Sequence, residues 1–279
     1  MLTIGTCPNS AATRIEQPLS AASEHDWRQA QCVFLMSTGR VGTTSLVKIL
    51  NLSPDIDARH EPAPLCLAEH KEAFQRQGES LECYRPLFTW ARANPIRAAR
   101  ERGLVYAEHG FWPPFTELIA EMMPNAKFLF LTRHPGGVVR SGMRRCWYVR
   151  HSYDATRPVP APGTPAAEAW AEWTPFQKVV WLWDMVNAHL IRCEKASDPH
   201  RWRRLHFEQW ISPDYHGWEE LFEWLGARPP SRELIAEAVK RPQNRQQYGE
   251  FPKYRDWSPE QKACLRRMAG ETMAELGYE

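Results

Sequence analysis

The chain has 279 residues, and its 35 lysines and arginines against 33 aspartates and glutamates give a formal net charge of +2. This balance argues against a general nucleic-acid binder, so we expect no nucleic-acid partner. Seven scattered cysteines without a C-x-x-C pair argue against a disulfide framework or a zinc site. We find neither a secretory signal nor an apolar run near the roughly 18 residues of a membrane span, and we expect a cytoplasmic protein.

Residues 1–28 are mixed and polar, and we interpret them as an N-terminal extension to a single domain over 29–279. The apolar run "CVFLM" (32–36) predicts a buried strand, and "SLVKILN" after the next loop predicts a helix that ends at Asn51. Further strands are predicted at 55–62, 103–110, 126–135 and 203–210, and helices around 65–77, 86–102 and 114–123. This alternation predicts the α/β class, with a doubly wound parallel sheet flanked by helices.

The C-terminal third is predicted to be helical. Thr174 and Ser258 are each followed by proline and, three residues on, by glutamine, the pattern of a capping box at a helix start. Two segments, 144–167 and 240–257, show no periodicity. Long irregular segments in a compact domain are either mobile or functional lids.

A glycine-bearing loop in "FLMSTGRVGTTSL" (34–46) lies between a predicted strand and a predicted helix, where backbone N–H groups and the helix end attract phosphate. In a nucleotide-hydrolysing loop, G-x-x-x-x-G-K-[ST], a lysine reaches the outer phosphates. Thr43 stands at that lysine position, and the cation comes earlier, as Arg40. The predicted anion-binding residues are Gly39, Arg40, Val41, Gly42, Thr43, Thr44 and Ser45.

A second candidate site lies in "LTRHPGGVVRSGMRR" (131–145). Arg133 follows the strongest predicted strand, and Ser141 comes eight residues later. Ligands of doubly wound sheets lie outside the carboxyl ends of the strands, so we expect Arg133 and Ser141 to bind a second phosphate of the same ligand.

Together, "STGRVGTTSL" and "AKFLFLTRHPGGVVRSG" resemble the sulfotransferases that use 3′-phosphoadenosine 5′-phosphosulfate (PAPS), from about residue 31 to the C-terminus. The resemblance implies a fold akin to P-loop nucleotide kinases, a first motif that holds the 5′-phosphosulfate, and Arg133 and Ser141 at the 3′-phosphate. It implies in-line transfer of a sulfuryl group, without magnesium or another metal, to a hydroxyl or amine. Arg40 would favour the transition state by stabilising charge on the bridging oxygen.

The acceptor must lose a proton to a general base, for which there are two candidates. His109 in "YAEHGF" resembles the histidine of family members that act on phenols and steroids, and Glu61 in "RHEP" resembles the glutamate of members that act on carbohydrates. Two features depart from the phenol-sulfating enzymes: Ala107 replaces a lysine, and their late Arg-Lys-Gly segment is absent. The basic stretch that contains Arg245 is the candidate to close over the adenosine.

The acceptor is accordingly a small molecule, a carbohydrate or a peptide. Two other functions are open at this point. A P-loop nucleotide kinase or NTPase would need the lysine that Thr43 replaces. The presence of Arg40 together with both base candidates argues mildly against a non-catalytic nucleotide-binding protein.

Overall fold

The structure, a computed structural model, describes residues 27–76, 78–212, 214–240 and 249–279. Within these residues the strands form one five-stranded sheet of order β2-β3-β1-β4-β5, and every neighbouring pair is parallel. The strands are β1 (Cys32–Met36), β2 (Ile56–His60), β3 (Val105–His109), β4 (Ala126–Thr132) and β5 (Trp202–His206). The predicted class and sheet type are confirmed.

Helices connect the strands and make up most of the C-terminal third. The α-helices are α1 (Thr43–Leu50), α2 (Leu67–Gln75), α3 (Arg85–Glu101), α4 (Thr116–Met122), α5 (Pro135–Arg144), α6 (Pro165–Ala169), α7 (Pro175–Ala196), α8 (Phe207–Trp210), α9 (Trp218–Leu225), α10 (Arg232–Lys240) and α11 (Pro259–Glu275). Short 3₁₀ turns lie at Glu82–Tyr84, Pro113–Phe115, Asp154–Thr156, Pro199–Arg201 and Tyr254–Asp256. Both predicted capping boxes are present, at Thr174 before α7 and at Ser258 before α11.

The core lies on both faces of the sheet, because the central strands carry apolar side chains at nearly every position. All five residues of β1 are buried, which is the pattern of a central parallel strand covered by helices on each side. Phe34 of β1 stacks on Phe128 of β4, and Phe128 stacks on Trp202 of β5. These apolar contacts run across three strands and hold their carboxyl ends at one edge.

One sequence prediction was wrong in its second half. The strand predicted over 203–210 covers Trp202–His206, and the chain then turns into the short helix α8. Aromatic residues favour strands when judged by propensity alone. Here the sheet has reached its edge at His206, and Trp210 is completely buried from the helix instead.

The predicted extension falls mostly on residues 1–26, outside the described part of the chain. Trp27, at its end, is fully buried against Phe88 of α3 and so belongs to the core. None of the six cysteines in the described part, from Cys32 to Cys264, forms a disulfide. Among the described helices, none is both long and apolar enough to cross a lipid bilayer.

Candidate functional site

The candidate site lies at the carboxyl edge of the sheet, where the segments after β1 to β4 meet. The loop after β1 contains Arg40, β2 and β3 end in His60 and His109, and Arg133 follows β4. His60 and His109 are partners in the β2–β3 register, which places their rings side by side. The edge matches the position at which open parallel sheets bind their ligands.

The loop between β1 and α1 has the backbone shape of an anion-binding turn. Gly39 and Gly42 have φ angles of 77° and 87°, in the left-handed region that favours glycine. Gly42 also allows close packing, because a Cβ there would lie 2.6 Å from Trp210 Cζ2. Gly42 supplies no capping side chain to α1, and the first turn of the helix has no acidic residue. The positive end of the helix faces the loop, and neither a capping side chain of Gly42 nor an acidic residue of the first turn compensates its charge.

The structure joins the two predicted anion-binding motifs through Arg40. The Arg40 Nε donates a hydrogen bond to Ser141 Oγ at 3.0 Å, and the Arg133 guanidinium donates to the Arg40 carbonyl at 2.9 Å. Arg133 itself stacks on Phe207, 4.1 Å from the ring centre, which fixes its planar group. Residues more than 90 positions apart in sequence thus form one basic surface.

This surface is electrostatically arranged for an anion. Burial, together with the nearby Arg145, lowers the pKa of Arg40 to about 10, against an opposing effect of Glu61. Burial also lowers the pKa of Arg133. Both guanidinium groups stay charged at neutral pH, so cations are held close together in a partly desolvated place. A multiply charged anion would relieve this repulsion and gain charge-assisted hydrogen bonds.

The two base candidates lie together beside this surface. The His109 side chain is buried, its Nε2 lies 3.1 Å from Ser37 Oγ, and its Nδ1 lies 4.0 Å from Glu61 Oε1. That Nδ1 has no hydrogen-bond partner within the described residues. Burial, and next the neighbouring His60, lower the pKa of His109 to about 3, so its imidazole is neutral at physiological pH. A neutral imidazole has a lone pair, but with so low a pKa it accepts a proton only weakly unless a nearby anion such as the Glu61 carboxylate stabilises the imidazolium.

His60 completes the cluster and was not predicted from the sequence. Its ring stacks on that of His109 with centres 5.0 Å apart and 23° between the planes. One ligand atom each from His60, Glu61 and His109 lies within 4.8 Å of the others, as in a metal site. A shared ion, however, would have to lie in both imidazole planes, and planes so nearly parallel do not converge near the rings. We therefore interpret the cluster as one that handles protons.

A cavity of about 230 Å³ opens onto this cluster. Its walls combine the loop between β1 and α1, the ends of β2 and β3, and part of the 144–167 segment. The lining includes Arg40, His60, Glu61, His109, Phe111, Trp147, His151, Tyr153, Arg157, Leu182 and Val186. Helix α7 contributes Leu182 and Val186 to this lining, and Trp147 contributes an indole ring.

Asp154 organises the part of the 144–167 segment that covers the cavity. Its carboxylate accepts hydrogen bonds from the backbone N–H groups of Tyr148 (3.0 Å) and His151 (2.8 Å) and from Arg157 Nε (3.0 Å). Arg157 also lies over the ring of Trp147, 4.2 Å from its centre. The segment is therefore a structured wall built around one carboxylate.

The remaining predicted site residues are placed as follows. Val41 and Ser45 are buried, at 1% and 8% exposure, and neither belongs to the cavity lining. Thr43 and Thr44 direct their hydroxyls to His60. Arg245 lies outside the described residues, and its predicted role stays a prediction.

Comparison with solved structures identifies the fold. The sulfotransferase domain of the Synechococcus PCC 7002 olefin synthase aligns with a TM-score of 0.53 and 15% identity, over 90% of this chain and 96% of that domain. A sulfotransferase from Alicyclobacillus acidocaldarius aligns with a TM-score of 0.50 and 15% identity, over 88% and 96%. No protein-family model and no curated protein sequence matches the chain. The chain thus has the sulfotransferase fold, as the two motifs predicted.

Proposed function

We propose that the chain is a sulfotransferase that moves a sulfuryl group from PAPS to a hydroxyl or amine of a small-molecule, carbohydrate or peptide acceptor. The observation that carries this proposal is the joining of two anion-binding motifs through Arg40, which donates to Ser141 and accepts from Arg133. Such a surface suits a ligand with two separate anionic groups. The sulfotransferase fold supports the same function.

The residues present fit the donor. The loop from Gly39 to Ser45, with the N-terminus of α1, would hold the phosphosulfate end, and Arg133 and Ser141 would hold the 3′-phosphate. Gly39 has open space around its Cα, since a Cβ added there would have no atom within 4 Å, and the backbone is accessible to a ligand. When bound, PAPS supplies a sulfuryl group joined to phosphate through a bridging oxygen.

Arg40 and the His109–Glu61 pair have complementary roles in the transfer. Arg40 stabilises the negative charge that develops on the leaving oxygen, from a site where partial burial strengthens the interaction. The neutral imidazole of His109 can accept the proton of the acceptor at Nδ1, and the Glu61 carboxylate 4.0 Å away stabilises the imidazolium that results. Glu61 can alternatively accept the proton itself, since both groups line the cavity.

The cavity limits the part of the acceptor that enters. At about 230 Å³ it is smaller than the roughly 300–1,000 Å³ of typical drug-sized sites. Its aromatic and aliphatic walls, including Phe111, Trp147 and Leu182, suit a ring or a branched alkyl group that carries the reactive hydroxyl or amine. A carbohydrate or peptide acceptor would insert one residue and leave the rest outside.

The first experiment is calorimetric titration with 3′-phosphoadenosine 5′-phosphate (PAP), the desulfated donor, alongside ATP with magnesium. We expect tight PAP binding, weak ATP binding, and a loss of PAP affinity of about tenfold or more in Arg133→Ala. Arg232→Ala is the matched control, because the ion-pair partner of Arg232 within the described residues is the exposed Glu219. ATP binding as tight as PAP binding would contradict the proposal and favour a nucleotide kinase.

A turnover assay separates an enzyme from a binding protein that retains the nucleotide site. Release of PAP from PAPS is followed with a panel of phenols, sugars and tyrosine peptides, with and without magnesium. We expect metal-independent turnover that falls by about a hundredfold or more when the true base, His109 or Glu61, is replaced. Full turnover in both His109→Ala and Glu61→Ala would refute the assignment of the base.

A further inference from the structure

His60 lies between the proposed phosphate-binding loop from Gly39 to Ser45, called the phosphate loop below, and the base candidate His109. Its Nε2 lies 2.9 Å from Thr43 Oγ1 and 3.2 Å from Thr44 Oγ1, at the start of α1. The same ring stacks on His109, the next histidine along the edge of the sheet. His60 therefore contacts predicted donor-binding residues on one side and a predicted base on the other.

A hydroxyl has one proton to give, and this limits what His60 can do. Without a phosphate at the loop, a threonine hydroxyl can donate to Nε2, in which case the ring proton is on Nδ1, or accept from Nε2. When the hydroxyls donate to phosphate oxygens, they have no proton left for the histidine. They can then only accept, so Nε2 must carry the proton and Nδ1 must carry the lone pair.

We propose that His60 is a positioning residue whose tautomer is set by occupancy of the phosphate loop, so that donor binding prepares the acceptor side of the cavity. The inference rests on the proposed function, because it needs a phosphate group at Thr43 and Thr44. The change moves one proton from Nδ1 to Nε2 by exchange with water and leaves the charge of the ring at zero.

The surroundings of His60 explain why its tautomer affects hydrogen bonding in the cavity. Burial lowers the pKa of His60, which keeps the ring neutral and the choice of tautomer meaningful. The charged groups that act on it are Glu61 and Arg40, and the neutral His109 covers one face. With the proton on Nε2, the Nδ1 atom of His60 is a hydrogen-bond acceptor in place of a donor. An incoming hydroxyl or amine, which must give up a proton there, then meets one donor fewer among the side chains that line the cavity.

The direct test is nitrogen NMR of the protein labelled with ¹⁵N-histidine, free and saturated with PAP. The His60 resonances are assigned by their loss in His60→Gln. We expect PAP to convert His60 to the Nε2–H tautomer. His189 serves as the internal control, because its Nε2 lies 2.8 Å from the Pro113 carbonyl, which fixes its tautomer away from the cavity. We expect its resonances to stay unchanged.

Two outcomes overturn the inference and are distinguishable. If calorimetry shows PAP bound while the His60 tautomer is the same with and without it, the coupling is absent and the proposed function stands. If PAP does not bind at all, the proposed function fails and the coupling fails with it.

Variants distinguish a positioning role of His60 from a merely structural one, because they change the tautomer response and kcat. In Thr43→Val and Thr44→Val, which keep the side-chain shape, we expect the PAP-induced tautomer change to be reduced even at saturation. His60→Leu should lower kcat about tenfold, which corresponds to the loss of one well-placed hydrogen bond. His60→Gln can still donate a hydrogen bond to the threonines and should retain most of the wild-type kcat. Equal kcat in the Leu and Gln variants would contradict the proposal.

Discussion

Arg92 and Glu108 form a fully buried ion pair directly beneath the candidate site. Arg92, from α3, is 1% exposed and Glu108, in β3, is 0% exposed. Arg92 Nε lies 2.7 Å from each carboxylate oxygen, and Tyr106 and Trp112 donate further hydrogen bonds to the same carboxylate at 2.6 and 2.5 Å. Every polar atom of the Glu108 side chain is therefore satisfied in a place without access to water.

The same arginine holds the loop that follows Glu61. Arg92 Nη2 donates to the carbonyls of Pro62 and Pro64, at 3.0 and 3.1 Å, and its guanidinium lies 4.7 Å from the ring centre of Trp112. Through these bonds Arg92 connects the residue before His109 to the residues after Glu61. It fixes the relative position of the two base candidates.

We therefore expect Arg92→Met to be severely destabilising. The methionine fills much of the volume but leaves a buried carboxylate without its cation, which typically costs about 3–5 kcal/mol. This is a large part of the roughly 5–15 kcal/mol that stabilises an ordinary domain. Urea denaturation measures the free energy of unfolding. Arg85→Met in the same helix is the control, because its partners Glu82 and Glu121 are exposed and the loss should stay below about 1 kcal/mol.

A double-mutant cycle shows whether the loss comes from the pair. Glu108→Gln alone leaves Arg92 as a buried cation, whereas Arg92→Met combined with Glu108→Gln removes both charges. We expect the two single losses to exceed the double loss by about 2 kcal/mol or more. Single losses that add within about 0.5 kcal/mol, or an Arg92→Met loss below about 1 kcal/mol, would refute the reasoning.

Three further predictions concern the loop, the core and the cavity wall. Gly42→Ala should lower the free energy of unfolding, measured by urea denaturation, by about 2–4 kcal/mol, because φ is 87° and the new Cβ would lie 2.6 Å from Trp210. Gly39→Ala has a similar φ but open space around the new Cβ, and the loss should be about 1–2 kcal/mol. Burial lowers the pKa of His189 from 6.5 to about 4, so between these pH values the imidazole is protonated in the unfolded chain and neutral in the folded protein. Unfolding free energy should fall by about 1.4 kcal/mol per pH unit from this group as the pH drops from 6.5 towards 4, and the slope should flatten in His189→Gln. Asp154→Ala should raise the acceptor KM and leave the PAP affinity within about twofold, since its three hydrogen bonds hold only the cavity wall.

Each of these predictions has a result that would contradict it. Equal losses in Gly42→Ala and Gly39→Ala would show that packing against Trp210 does not matter. An unchanged pH slope in His189→Gln would show that this imidazole titrates alike in both states. A weakened PAP affinity in Asp154→Ala, with the acceptor KM unchanged, would place the segment on the donor side.

The strands and the glycine-bearing turn after β1 could be predicted because their signals are local. An apolar run such as "CVFLM" is compatible with a buried parallel strand and little else before a glycine loop, and β1 has the predicted bounds. The capping boxes at Thr174 and Ser258 are set by residues three positions apart. The end of β5 was misjudged because it depends on where the whole sheet ends, and a short stretch of sequence holds no information about that.

The parts of the site that were missed depend on contacts between distant elements. His60 gives no signal as a strand residue, because its role comes from pairing with His109 and from hydroxyls that lie 16 and 17 residues earlier. Arg92 is one of several arginines in α3 and is distinguished only by the carboxylate that β3 brings beneath it. Charged residues are rarely buried, so their burial is the least predictable feature of a sequence.

Arg40 belongs to both halves of the site, and replacing it cannot separate them. Its φ of 61° is unusual for a residue with a side chain, and this geometry accompanies a side chain bonded to Ser141 and a carbonyl bonded to Arg133. Its charge also acts on His60 and His109 across the cavity. Under the proposed roles, a substitution of Arg40 would therefore disturb donor binding and proton transfer together. Under the same roles, replacing Arg133 should change mainly the donor affinity, and replacing Glu61 should change mainly the turnover.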